Sequence, residues 1–330
     1  METRKESLNT FPLLQIQGLC KDFRSDVFFG KTFRAVDGVD MKVDSGEIRG
    51  IVGESGSGKT TLARCSLRLI EPSAGSICFA GQDLSGLSAA ALRARRKEFQ
   101  MIFQDPYGSL NPEMTVEQIL AEPLQIHRID NGNFRGRQVR ELLEAVSLSE
   151  SILNRKPFEL SGGQQQRVGI ARGLILRPRL VIADEPVSAL DASVQVQILN
   201  LLADLKKQYD LTLILISHSL NALHYLCTRI SVMYKGRLVE EASAAGFFSG
   251  PKHPYSRSLL RCMPSLDPSG RKFSDPVKGI SDSPDRQSGC AYHPYCPDKL
   301  PECVDQVPVL KGVSTGEAVA CFLYSQPSAE

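Results

Sequence analysis

Nine consecutive residues, GESGSGKTT from Gly53 to Thr61, place three glycines, a lysine and two threonines in the pattern G-x-x-x-x-G-K-[ST]. That combination suits phosphate binding. Gly53, Gly56 and Gly58 permit backbone conformations closed to other residues and let amide N–H groups approach phosphate oxygens. Lys59 can reach the β- and γ-phosphates, and the Thr60 hydroxyl can ligate Mg²⁺. Glu54, Ser55, Ser57 and Thr61 complete the residues expected to line the nucleotide. A Gly/Ser-rich linker that happens to end in Lys-Thr is the plain alternative. The flanks argue against it: an apolar stretch, IRGIVG, reads as a buried strand, and TLARCSLRLI reads as a helix whose positive end faces the same anion.

Further along, other residues could complete a hydrolytic site. MIFQDP carries Gln104 after an apolar stretch, and LSGGQQQR (Leu160 to Arg167) opens a helix. LVIADEP brings Asp184 and Glu185 to a strand end, and SALD (Ser188 to Asp191) follows. ISHSL then supplies His218 after the next strand. Asp184 can hold Mg²⁺ through water, while Glu185, one residue on, can accept a proton from an attacking water. Gln104 can orient that water or touch the metal, and His218 can contact the γ-phosphate. Ser161, Gly162, Gly163 and Gln164 at a helix start form a second anion nest. Each feature alone has a bland reading: a solvated strand end, a structural histidine, a loop. Their joint occurrence in this order favours chemistry.

The elements that must position these groups follow from hydrophobic period. LLQIQGL and AVDGVDMKV read as strands before the loop, and GSICFAGQDL as a strand and turn after it. From about 89 to 175 several segments show apolar spacing near 3.6. RLVIAD and LTLILIS read as buried strands, joined by the helix ASVQVQILNLLADLKKQY. RISVMYKGRLVEEA reads as a hairpin turning at Lys235 and Gly236. This is an α/β nucleotide-binding core with a helical insertion. Beyond residue 250 lie eleven of the 19 prolines, and periodicity weakens, which places a boundary near 246. HPYSRSLLRCM is the one clear helix candidate in the tail.

Composition narrows the function classes. A net charge of +2 gives no general nucleic-acid footprint. No apolar run approaches the roughly 18 residues needed to span a membrane, and METRKESLNTFPLL lacks a signal-peptide core. The expectation is a cytosolic protein that reaches a membrane only through a partner.

Taken together, these motifs over about residues 13–245 resemble the ATPase subunit of an ABC transporter, with LSGGQ the most specific. The resemblance implies an α/β P-loop NTPase cassette with a RecA-like core, an antiparallel β subdomain and a helical subdomain. It implies ATP and Mg²⁺ as ligands, with Thr60, Gln104 and Asp184 on the metal. It casts Glu185 as general base, His218 as switch histidine, Gln104 as the loop sensing the membrane subunit, and Asp191 as the residue coupling two sites. Ser161, Gly162, Gly163 and Gln164 would bind the γ-phosphate of ATP held by a second ATPase subunit. The aromatic stacking on adenine is assigned to Phe23, with Phe28, Phe29 and Phe33 as alternatives. Departures are few: QQQR follows the signature where RQR is common, and Ser219 follows His218 where Asp is common.

MIFQDPYGSLNP, AVDGVD, HPYSRSLL and the tail GCAYHPYCPDKLPEC resemble the oligopeptide, dipeptide and nickel importers, with Tyr295 where Arg usually precedes the cysteine. That implies an importer motor at the cytoplasmic face of the membrane, residues 1–246 being the ATPase domain and 247–330 a C-terminal extension. Its partners would be two permeases, a second ATPase subunit and an external binding protein. A soluble ABC ATPase acting on nucleic acid or ribosomes is the alternative. One cassette, no long heptad run and near-neutral charge argue against it.

Of nine cysteines, four in the tail are spaced C-x₅-C-x₆-C-x₁₇-C: Cys290, Cys296, Cys303 and Cys321. Disulfides are disfavoured in a reducing cytosol. Zinc sites usually pair cysteines more closely, whereas a [4Fe–4S] cluster tolerates wide spacing. Zinc and plain thiols remain as alternatives. The resemblance implies the cluster, as carried by subfamily members with this pattern. The tail lacks apolar periodicity for a core of its own, so a metal staple has a purpose. Nothing in the sequence ties it to the ATP site, and a structural or redox-sensing role is expected.

Overall fold

The structure, a computed structural model, describes residues 11–24, 32–129, 133–261 and 288–324. Two sheets organise it. The smaller is antiparallel and contains β1 (Leu14–Arg24), β2 (Thr32–Val43), β4 (Ala74–Phe79) and β5 (Gln82–Asp83), in the order β2-β1-β4-β5. The larger contains β3 (Ile48–Val52), β6 (Phe99–Ile102), β7 (Leu180–Asp184), β8 (Thr212–Ile216), β9 (Arg229–Tyr234), β10 (Arg237–Ser243), β11 (Lys311–Ser314) and β12 (Glu317–Val319). Its order is β11-β12-β10-β9-β3-β8-β7-β6. The pairs among β9, β3, β8, β7 and β6 are parallel.

The central strands are apolar throughout because both faces are covered. Along β8, Leu213 and Leu215 enter one core, while Ile214 and Ile216 enter the other. β7 does the same, with Val181 and Ala183 on one side and Leu180 and Ile182 on the other. This period of two with no polar face is what a buried parallel sheet requires. The first core runs under the helices, and the second lies between the large sheet and the antiparallel one.

The helices are α1 (Lys59–Ser66), α2 (Ala89–Arg95), α3 (Pro106–Ser109), α4 (Val116–Ile126), α5 (Asn133–Ala145), α6 (Gly162–Leu174), α7 (Ala192–Tyr209), α8 (Leu220–Leu226), α9 (Ala244–Ser249) and α10 (Pro254–Arg261). α3 to α6 pack together between β6 and β7 in the chain, the insertion that the 3.6-residue period indicates. Thr115 opens α4 with a reciprocal cap: its side chain accepts from Gln118 N–H, and Gln118 returns the bond.

The tail differs from its sequence-based expectation. It uses the cassette's core instead of needing one of its own. Tyr255 and Tyr292 are buried in the first core, and Cys290, Ala291, Tyr295 and Cys296 pack against it. The hairpin β11–β12, which the sequence does not announce, joins the large sheet, pairing Val319 with Glu240 of β10. Lys252 pairs with Glu317 at 2.8 Å, and Arg229 donates to the Gly316 carbonyl at 2.7 Å, fixing the hairpin on the sheet edge. Cys262 and Met263, the end of HPYSRSLLRCM, lie outside the described residues.

Candidate ATP site

β3 delivers the chain from the sheet centre into the glycine loop, and α1 starts at Lys59. Two glycines are required by close approach. A Cβ on Gly53 would stand 2.1 Å from the Met233 carbonyl oxygen. Gly58 has φ +101, and a Cβ there would stand 2.2 Å from the Ala35 carbonyl oxygen. No side chain caps α1, so its first N–H groups remain available to an anion.

Lys59 is buried in the loop's hollow. Its Nζ donates to the carbonyls of Gly53 at 2.8 Å and Glu54 at 2.7 Å, with Ser57 Oγ at 3.4 Å. Burial lowers its pKa, and the nearby carboxylates of Glu185, Asp184 and Glu54 oppose that. A phosphate entering the hollow offers the ammonium a stronger, charged acceptor than these carbonyls.

Asp184, at the end of β7, is 1% exposed. Thr60 Oγ1 donates to its Oδ1 at 3.0 Å. Burial pushes the Asp184 carboxyl above its usual range, and the Thr60 hydrogen bond pulls it back. A hydroxyl and a carboxylate side by side next to a phosphate hollow are hard oxygen donors of the kind Mg²⁺ takes. A divalent cation there would favour the ionised carboxylate that burial opposes.

Glu185 turns away from Asp184 because its backbone is left-handed, at φ +47. A non-glycine residue held there costs about 1–3 kcal/mol, and such strain concentrates at working sites. The bond from Glu185 N–H to the Ile216 carbonyl, 2.9 Å, holds the turn against β8. Two sequence-distant groups converge on its carboxylate. Gln104 Nε2 donates to Glu185 Oε2 at 2.7 Å, and His218 Nδ1 lies 3.4 Å from the same oxygen. Glu185 is mostly enclosed, with its side chain 18% exposed, whereas His218 stands on the rim at 61%.

Other candidates stand apart from the loop. Ser161 caps α6: its Oγ accepts from Gln164 N–H at 3.4 Å, and Gln164 Oε1 accepts from Ser161 N–H at 3.0 Å. Gly162 and Gly163 open the same helix, and a Cβ on Gly163 would meet Val194 at 2.9 Å. Asp191 caps the adjoining α7, accepting from Val194 N–H at 3.0 Å. Among the described residues no hydrogen bond joins Ser161–Gln164 to the loop of the same chain. Phe23 lies on β1 opposite Phe33 on β2, both partly exposed, with Lys21 Nζ 5.1 Å from the Phe23 ring. Phe28 and Phe29 fall outside the described residues.

Cys290, Cys296, Cys303 and Cys321 line one pocket with His253 and Tyr292. Burial raises the thiols of Cys290 and Cys296, and that of Cys321 to about 11. Among the described residues, no three of His, Cys, Asp or Glu are grouped so as to hold a metal ion. The expected cluster is therefore not seen as a formed metal site. The tail does meet the ATP site through one contact outside that pocket's lining: Tyr255 Oη accepts from Glu54 N–H of the glycine loop at 3.0 Å. The sequence held Tyr255 in view within HPYSRSLL but offered no signal of that role, because its partner lies 201 residues away.

A glycine loop between a buried parallel strand and a helix, with Asp184 at the end of β7, one strand beyond β8 in the same sheet, defines a P-loop nucleotide-binding ATPase. The ABC transporter family model matches residues 36–188, and that of the oligopeptide/dipeptide transporter C-terminal region matches 239–303. A putative peptide import ATP-binding protein of Brucella ovis is 45% identical over 312 residues, 94% of this chain and 98% of that protein. The oligopeptide transport ATP-binding protein AppF of Bacillus subtilis is 42% identical over 325 residues, 96% and 99% of the two chains. A dimeric ATP-binding cassette solved in a post-hydrolysis state with ADP and Pi superposes with TM-score 0.64 at 28% identity, over 70% of this chain and 98% of that one. The cbiO1 subunit of a Clostridium perfringens ABC transporter complex gives 0.63 at 25%, over 72% and 91%. The chain belongs to the ABC transporter ATPases, in the branch that carries the oligopeptide/dipeptide transporter C-terminal region.

Proposed function

We propose that this chain is the ATP-hydrolysing motor of an importer for di- and oligopeptides. ATP closes a pair of such subunits, two partner permeases turn with them, and hydrolysis resets the assembly. The observation that carries the chemistry is the convergence of Gln104 and His218 on the Glu185 carboxylate beside the glycine loop. Glu185 takes the proton of the attacking water, Gln104 and His218 orient it, and Asp184 with Thr60 holds Mg²⁺ at the phosphates. The exposed cap at Ser161 and Gln164, occupied only by its own residues, suits a γ-phosphate brought by a second ATPase subunit. The full-length similarity to peptide import ATP-binding proteins supports the peptide cargo. Among the described residues no helix is long and apolar enough to cross a membrane. The chain accordingly works from the cytoplasmic face through its permeases, with an external binding protein delivering peptide. The test is to isolate the full chain from membranes with its partners and follow ATP hydrolysis as peptide-loaded binding protein is added. Peptide stimulation supports the reading, nickel stimulation shifts the cargo, and co-purifying ribosomes would overturn it.

The four tail thiols support a second assignment, an iron–sulfur cluster. They line one pocket from four separate positions, and a four-iron cluster needs a wider arrangement than the single ion whose geometry is lacking there. When bound, it would supply a cross-link between the loops, with a one-electron couple. Anaerobic purification with iron and acid-labile sulfide analysis tests it. Colourless, iron-free protein would overturn it, and stoichiometric zinc would replace it.

A further inference from the structure

We propose that Tyr255, which α10 supplies from the C-terminal region, is a positioning residue of the ATP site, holding the Gly53–Glu54 peptide in the orientation that receives phosphate. One peptide unit is gripped on both edges. Its carbonyl, from Gly53, accepts from Lys59 Nζ at 2.8 Å. Its N–H, from Glu54, donates to Tyr255 Oη at 3.0 Å. A peptide plane held at its oxygen and at its N–H cannot rotate without breaking one of the two bonds. It sits where rotation would matter, between the end of β3 and the hollow that Lys59 fills.

The tyrosine is itself rigidly held. It is 1% exposed. Its ring lies 4.4 Å from that of Tyr234, at the end of β9, and 5.4 Å from that of Tyr292. Its backbone N–H donates to His253 Nδ1 at 3.0 Å, and the backbone N–H of His253 donates to Glu240 of β10 at 2.9 Å. The oxygen that meets the glycine loop is therefore fixed from the large sheet, not from a loose tail. Burial pushes the phenol far above its ordinary range, so it stays a neutral hydroxyl whose lone pair accepts the Glu54 N–H. Tyr292 also lines the four-cysteine pocket, so Tyr255 stands one ring away from it.

The inference rests on the ATP-site reading, so the test must separate the two. Tyr255→Phe removes one oxygen and keeps the ring packing. ATP hydrolysis by the full chain in its assembled complex is measured together with ATP binding and thermal stability, and Lys59→Ala runs in parallel. Loss of one neutral hydrogen bond, about 0.5–1.5 kcal/mol, corresponds to a shift of roughly two- to twelvefold. Tyr255→Phe is expected to raise the KM for ATP by that factor with kcat nearly unchanged. A merely structural tyrosine would lower thermal stability and the active fraction, hence kcat, and leave KM alone. An unchanged or lower KM in Tyr255→Phe, while Lys59→Ala loses ATP, would overturn the inference and leave the ATP site standing. If Lys59→Ala also binds ATP normally, the ATP-site reading fails first.

Discussion

The ATP site and the cysteine pocket are assembled in opposite ways. Nine contiguous residues make most of the former, and three strand ends complete it: Gln104 after β6, Asp184 and Glu185 at the end of β7, and His218 after β8. Its polar groups already hold one another at hydrogen-bond distance: Thr60 on Asp184, and Gln104 on Glu185. The pocket instead gathers residues from His253 to Leu323, and burial raises the thiol pKa values of Cys290, Cys296 and Cys321. A site built on a short loop between a strand and a helix is set by local backbone geometry. One drawn from distant turns depends on the core that carries it. Tyr255 and Tyr292 are where the second meets the first.

The sharpest break of this comparison is Ser161→Arg. The signature cap stands apart from the loop of its own chain, so the variant should bind ATP normally as an isolated subunit. ATP-driven dimerisation should be abolished by the bulk of the arginine at the interface, as read by size-exclusion chromatography of a hydrolysis-deficient background. Lost ATP affinity in the isolated subunit would contradict an action in trans. A smaller effect comes from Lys59→Ala. It removes charge-assisted bonds to phosphate worth about 1.5–3 kcal/mol each, so ATP should bind roughly 10- to 100-fold more weakly by titration.

The smallest effect probes the tail side alone. Burial lowers the His253 imidazole pKa to about 4, and its Nδ1 accepts the Tyr255 N–H, so it folds neutral. The unfolded chain takes up that proton near pH 6.5, and the folded chain does so only near 4. Between these values the unfolded state binds more protons, so stability falls as pH falls. At pH 5 the loss is about 2 kcal/mol. Urea unfolding at pH 7 and pH 5 should show a larger loss in the wild type than in His253→Gln. Equal losses would place the acid sensitivity elsewhere.

How much of this was legible in the sequence follows the same division. The β3, β7 and β8 strands could be read because sheets buried on both faces require unbroken apolar runs. The hairpin at Lys235 and Gly236 was legible too, since both residues adopt positive φ, +43 and +83, in a two-residue turn. The helical insertion followed from its 3.6-residue period. The β11–β12 hairpin was not legible. Its residues KGVSTGEAV are short, charged and half exposed, and its pairing to β10 is a long-range event. Glu185 could be named from its place after Asp184, but its left-handed backbone and its contact with Gln104 needed the fold. Tyr255 could not be assigned because a phenol's partner is not encoded in its neighbours.

The central claim is that the carboxylate on which Gln104 and His218 converge drives hydrolysis. Glu185→Gln tests it most directly, since it keeps the shape and removes only the base. ATP turnover by the assembled complex should fall about 10²–10⁴-fold while ATP affinity stays at the wild-type value. Near-normal hydrolysis by Glu185→Gln would contradict the account.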